Sequence, residues 1–179
     1  EVYRATHPDD DVQIIDVFHD DVPEIDDDMM TGWAQLQSGI AFTDLSTAAQ
    51  AKITRFNELT EQFMAADKIV LANPLWNLMI PTKVKAWIDT TVITGKMLKY
   101  AATGAVGLVS GKKLLHIQAN GGIYEGNDPA SRYVKDIFNF IGLTDFESVY
   151  VEGQAYAPQN ADVILNDALV KIENIAKTF

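Results

Sequence analysis

Two short apolar runs, residues 68–73 (KIVLAN) and 113–118 (KLLHIQ), constrain this chain more than anything else in it. Neither alternates polar with apolar residues, which is the pattern of parallel strands covered on both faces. Two further β-type runs, residues 12–18 (VQIIDVF) and 147–151 (ESVYV), flank them. Helical patterns fill the intervals. Ser46 is placed to cap a long helix on which Ala49, Ile53, Phe56, Leu59 and Phe63 share a face. A shorter helix is predicted over Asp27–Gln37. Pro81 reads as the first residue of a helix carrying Val84, Trp87 and Ile88. Asp128 and Pro129 open another, with Tyr133, Val134, Ile137 and Phe140 on its apolar side and Gly142 as a left-handed cap. The last helix, residues 161–177, packs through Ile164, Leu165, Ala168, Leu169, Ile172 and Ile175.

Strand and helix in alternation mean a parallel sheet with helices on both faces, an α/β doubly wound fold. In such sheets ligands sit beyond the carboxyl ends of the strands. Two loops therefore matter, residues 74–80 and 119–128.

The 179 residues suit one domain with a sizeable core. The formal net charge of −11 argues against a nucleic-acid partner, whose phosphates need a basic face. No apolar run is long enough to span a membrane and no signal peptide is visible, so a cytoplasmic location is expected. The absence of cysteine excludes disulfides, thiolate catalysis and sulfur-ligated metals. The acidic runs at residues 9–11 and 26–28 read as solvated turns. His7, His19 and His116 share no metal-ligand spacing, and His116 falls within a strand as a structural histidine would. The stretch GLVSGKK (residues 107–113) has the wrong glycine spacing for a phosphate loop and precedes a strand, and no G-x-S-x-G elbow occurs.

The second loop, QANGGIYEGND, places Gly121 and Gly122 directly after a strand. Missing Cβ atoms there permit positive φ and a close approach of backbone N–H groups to a flat or anionic ligand; an ordinary flexible turn is the competing reading. Tyr124 either covers such a ligand or packs on the surface. The first loop, NPLWNLMIP, is stiffened by Pro74 and Pro81 and sets Asn77 between Trp76 and Leu78. It suits a planar, mostly apolar ligand held by walls and one amide. Alternatively, Trp76 and Leu78 fold into the core or bury a subunit contact.

Taken together, the blocks NPLWNLMIPTKVKAWIDT, GKMLKY, SGKKLLHIQANGGIYEG and FNFIGL resemble the FMN-dependent NADH:azoreductases, members of the flavodoxin-like quinone reductases. The similarity runs from about residue 11 to the C-terminus. It implies a flavodoxin-type parallel sheet of order 2-1-3-4-5 and a homodimer with FMN at its interface. It further implies that Pro74, Leu75, Trp76, Asn77 and Leu78 line the flavin ring. Asn120, Gly121 and Gly122 would approach the pyrimidine side, with Tyr124 beside the ring. Asn77, Tyr100 and Phe140 would border the nicotinamide or substrate pocket. The implied chemistry is ping-pong transfer of two electrons from NADH or NADPH through FMN to quinones or azo compounds, with no catalytic side chain and no metal.

Members of that family open with a strand and a Ser-containing loop that binds the FMN phosphate, and neither is found here. The expectation is a single flavodoxin-like domain over residues 1–179 that lacks its first strand, about 30 residues or one βα unit. A chain of this length alone is expected to be poorly stable and to bind FMN weakly. Three other readings compete: a flavin-binding electron carrier without its own nucleotide site, a phosphodiesterase-type hydrolase acting on a carrier-protein prosthetic arm, and a plain interaction domain. The second requires a metal or nucleophile for which no credible spacing exists. A dimer gains modest support from the helix at residues 128–141, which carries more apolar surface than one sheet face needs.

Overall fold

A computed structural model describes residues 1–179. In chain order the elements are α1 (Val2–Thr6), α2 (Asp27–Gln37), α3 (Thr47–Ala65), β1 (Lys68–Pro74), α4 (Thr82–Thr90), β2 (Leu98–Ala101), β3 (Gly104–Gly107), β4 (Lys113–Asn120), α5 (Pro129–Phe140), β5 (Asp145–Glu152) and α6 (Ala161–Ala176). They fall into two compact units. Glu1–Ile14, Asp67–Pro81 and Thr94–Phe179 form one; Ile15–Ala66 and Thr82–Ile93 form the other.

The first unit is built on a parallel sheet of order β1-β4-β5. The central strand β4 is paired along both edges, with His116 lying between Leu71 and Ser148. Leu114, Leu115, His116 and Gln118 are all buried, so this strand reads as a continuous run because both its faces are covered. On one face Leu115, Val149 and Val151 pack with Ala168 of α6, and Ile164, Ile172, Ile175, Tyr3 and Phe179 close the cluster. On the other face Gln118 reaches Ser131 of α5. Helices thus lie on both sides of the sheet. Each aliphatic side chain buried in this way contributes about 1.5–3 kcal/mol.

Helix α5 starts and stops as its sequence predicts. Asp128 Oδ1 accepts from Ser131 N–H at 2.9 Å, and Pro129 occupies the first turn. Gly142, at φ +101°, ends the helix in the left-handed region. Its N–H donates to Asn139 O, while Leu143 N–H donates to Phe138 O at 3.0 Å, a Schellman arrangement.

Two features differ from the sequence expectation. Residues 12–18 form no strand, so the sheet has three strands rather than the four read from the sequence. A β-type run becomes a strand only when a neighbouring backbone takes up its hydrogen bonds, and here Ile14 is 77% exposed. Asp16 instead closes a local turn, its carboxylate accepting from Phe18 N–H at 3.1 Å while Asp20 N–H donates to Asp16 O at 2.7 Å. The second difference is an unanticipated antiparallel hairpin, β2–β3, whose Tyr100 pairs with Ala105. It docks beside α5, where Val109 N–H donates to Ile141 O at 2.9 Å. Gly107 permits that approach, since a Cβ there would come within 2.3 Å of Ile141 and Gly142 backbone atoms.

In the second unit α2 lies along α3. Met29, Ala49, Ile53 and Phe56 form its core with Leu45, joined by Trp33, Leu36 and Ile93. Gly32 lets the helices meet, because a Cβ there would stand 2.8 Å from Ile53 Cδ1. Ser46 Oγ accepts from Ala49 N–H at 3.1 Å, the cap read from the sequence. Thr60 Oγ1 ties α3 to the end of α4 by donating to Thr90 O at 2.8 Å, and Phe63 meets Trp87 edge to face.

Candidate functional site

β1 and β4 end level with each other, Pro74 opposite Ala119. Leu75 N–H then donates to Ala119 O at 2.9 Å. The two loops singled out in the sequence therefore leave the sheet side by side at its carboxyl end, where open α/β sheets hold ligands.

The first loop is a tight turn. Trp76 N–H donates to Met79 O and Met79 N–H to Trp76 O, both at 2.9 Å, with Asn77 at φ +50° and Leu78 at φ +63° between them. Two consecutive left-handed residues mark a primed hairpin turn, normally filled by Asn-Gly. Asn tolerates that region; a Leu there costs about 1–2 kcal/mol. Trp76 is 52% exposed and Leu78 48%, so neither side chain is buried in the core, whereas Ile80 is buried. The strained turn thus holds two large apolar side chains about half exposed, and backbone strain of this kind accumulates at ligand sites.

The second loop takes its shape from the end of β5. Gly153 N–H donates to Gly122 O at 2.9 Å and Ala155 N–H to Gly121 O at 3.0 Å. Glu152 Oε2 accepts from both Tyr124 N–H (3.1 Å) and Glu125 N–H (2.9 Å). Its Oε1 takes the Asn120 amide Nδ2 at 3.4 Å, and that nitrogen also donates to Gly122 O at 2.9 Å. Asn120 Oδ1 is buried without a partner. The expected positive φ at Gly121 and Gly122 does not occur; it falls on Glu125 (+52°) and Gly126 (+75°). The glycines are needed for packing instead, since a Cβ at Gly121 would meet Ala155 Cβ at 2.8 Å and one at Gly122 the Tyr124 ring at 2.7 Å. Tyr124 is half-buried over this loop.

Beneath both loops runs a buried polar chain. His116 Nε2 lies 2.9 Å from Asn73 Oδ1. Asn73 Nδ2 donates to Pro74 O at 3.0 Å and to Gln118 Oε1 at 3.3 Å. Gln118 Nε2 in turn donates to Asp128 Oδ2 and Ser131 Oγ, both at 3.1 Å. The start of the first loop is thus wired to the end of the second. Burial pushes the Asp128 carboxyl up, but hydrogen bonds from the Ser131 hydroxyl and N–H and from Gln118 outweigh it and hold the group below the usual carboxylate range. Burial likewise keeps His116 neutral, its pKa lowered to about 4 against a small opposing effect of Asp128.

Tyr100 projects from β2 and is largely exposed, and Phe140 is part-exposed at the last turn of α5, close in sequence to the Ile141 carbonyl on which the hairpin docks. Glu152, Asn73 and Gln118 were not among the residues picked out in the sequence. Each looks there like an ordinary polar residue in or at the end of a strand, and Gln118 in the middle of an otherwise apolar run was the one available signal.

A parallel sheet whose candidate site lies on the loops beyond adjacent strands defines a flavodoxin-type α/β protein. The sequence profile of the flavodoxin-like fold family matches residues 1–175, and the chain belongs to that family. It is 44% identical to a Streptococcus suis protein named FMN-dependent NADH:quinone oxidoreductase, over 99% of this chain and 86% of that one. Among solved structures, an azoreductase from Bacillus anthracis superposes with a TM-score of 0.87 at 32% identity, covering 99% of this chain and 86% of that one. An FMN-dependent NADH-azoreductase from Bacillus anthracis in complex with FMN gives 0.85 at 30% identity, covering 99% and 87%.

Proposed function

We propose that this protein is a flavin-dependent oxidoreductase that uses FMN to pass two electrons from NADH or NADPH to a quinone or an azo compound. The observation that carries this reading is the pairing of the Trp76–Met79 turn with the Asn120–Tyr124 loop at neighbouring strand ends, in a chain 44% identical to a protein named for that activity. The residues fit the cofactor. Exposed Trp76 and Leu78 suit the face of a planar ring, and the unpartnered Asn120 Oδ1 suits an imide N–H at its edge.

Bound FMN would supply the two-electron chemistry. The chain supplies position. Pro74, Leu75, Trp76 and Leu78 wall the ring, and Asn77 orients its polar edge. Asn120, Gly121 and Gly122 serve the pyrimidine side, where backbone N–H groups favour developing negative charge, and Tyr124 covers the flank. Tyr100, Phe140 and Asn77 border the place that the nicotinamide and then the acceptor occupy in turn, in a ping-pong order. We assign a homodimer, with these residues shared between subunits, and a cytoplasmic location; no helix is long and apolar enough to cross a membrane.

Reconstitution with FMN, desalting and a visible spectrum test the binding, and NADH-dependent turnover of menadione or methyl red tests the reaction. Retained flavin with steady turnover supports the reading. Absence of any binding when FMN is titrated to saturation overturns it, and flavin reduced only by a partner protein favours an electron carrier.

A further inference from the structure

We propose that Glu152 is the positioning residue that holds the 120–126 loop in its ligand-binding shape. This rests on the reading of that loop as one side of the flavin site. The loop has little structure of its own. Its non-glycine left-handed residue, Glu125, is held against its conformational preference, and beyond short-range bonds within residues 120–127 the loop is held by residues 150–155. Among those contacts the carboxylate is singular. One oxygen takes two successive main-chain N–H groups, Tyr124 and Glu125. Successive N–H groups converging in a turn make a concave anion-binding nest. Here the anion is part of the chain.

The other oxygen acts on Asn120. By accepting from Nδ2, together with Gly122 O, it fixes which way the amide faces and leaves Oδ1 without a protein partner. Glu152 thus sets both the course of the loop and the acceptor that the loop keeps for an imide donor. Charge-assisted bonds of this kind are about twice as strong as neutral ones, so losing them frees the loop while the sheet beneath stays paired.

The test uses the full chain and three variants. Amide hydrogen exchange, read by NMR without flavin, reports the loop directly; FMN affinity, read by quenching of flavin fluorescence, reports the consequence. Glu152→Ala is expected to speed exchange at Tyr124 and Glu125 by about tenfold or more and to weaken FMN by a similar factor, with the α3 amides unchanged. Glu152→Gln keeps one oxygen in reach of the N–H pair, so exchange at Tyr124 and Glu125 is expected to stay within about threefold of wild type, while its amide nitrogen cannot accept from Asn120 Nδ2 and FMN affinity is expected to fall. Glu152→Asp keeps the charge but loses the reach, and is expected to behave as Ala does; it carries the test should the Ala variant not fold. Exchange at Tyr124 and Glu125 unchanged in both Ala and Asp variants overturns the proposal. So does faster exchange with unaltered FMN affinity. A wild-type protein that binds no FMN overturns the functional reading, and the exchange data then judge the positioning role by themselves.

Discussion

His116 Nε2 and Asn73 Oδ1 meet at 2.9 Å in the buried layer under the two loops. The Asn73 amide nitrogen is already committed to Pro74 O and Gln118 Oε1, so its oxygen is the acceptor and His116 carries its proton on Nε2. Nδ1 is then a lone pair with no hydrogen-bond partner. A neutral ring tolerates this; a protonated one would bury a charged N–H with nothing to receive it.

Acid therefore weakens the fold through His116. Its pKa is lowered to about 4 in the folded protein, against about 6.5 when unfolded. Between those values the unfolded chain binds a proton that the folded chain does not. This contribution to stability is complete above about pH 6.5 and declines as the pH falls toward 4, by about 3 kcal/mol in all. Urea unfolding at about pH 7.5 and 4.5 should show that loss, and His116→Gln, which keeps a donor for Asn73 but cannot titrate, should show less of it.

Removing Asn73 should cost more than an average core polar substitution. Asn73→Ala strands the His116 N–H, the Pro74 carbonyl and the Gln118 carbonyl together. A loss of about 3 kcal/mol is expected in denaturant unfolding at neutral pH. FMN affinity should fall as well, because Asn73 anchors the first residue of the Trp76 loop.

Leu78→Gly should stabilise the protein while harming the proposed site. It relieves a left-handed Leu at φ +63° at the cost of a more flexible unfolded chain, for a net gain of about 0.5–1 kcal/mol. Differential scanning calorimetry should show a higher melting temperature, and flavin titration a weaker affinity, since an apolar wall is lost.

Gly107→Ala tests the seat of the hairpin. The new methyl would stand 2.3 Å from main-chain atoms of Ile141 and Gly142, which cannot step aside as a flexible side chain does. A cost of about 2–3 kcal/mol is expected, with hydrogen exchange accelerated across β2 and β3. If Tyr100 borders the substrate pocket, KM for the acceptor should rise more than kcat falls.

The sequence carried the elements whose signals are local. β1, β4 and β5 stood out as apolar or β-branched runs, and α3 and α5 as periodic faces with Ser46 and Asp128 at their caps. Residues 12–18 misled because strand formation depends on a neighbouring edge, which no composition encodes. The β2–β3 hairpin was not legible because its strands are four residues each and largely exposed, and its docking rests on the bond from Val109 N–H to Ile141 O and the close approach at Gly107. In the site, the Trp76 loop and the Gly-Gly loop were visible by their odd composition for their place. Glu152 was not. Its partners lie 27, 28 and 32 positions away, and nothing in the string VYVEGQ announces them.

The Glu152 grip has an evolutionary side. Because it seizes main-chain N–H groups, it is indifferent to which side chains stand at positions 124 and 125. A replacement of Tyr124 or Glu125 that keeps its N–H and tolerates the local φ changes the surface of the loop and leaves both bonds to Glu152 available. The outer surface of this loop can thus drift by substitution at those two positions, while position 152 bears the constraint for both.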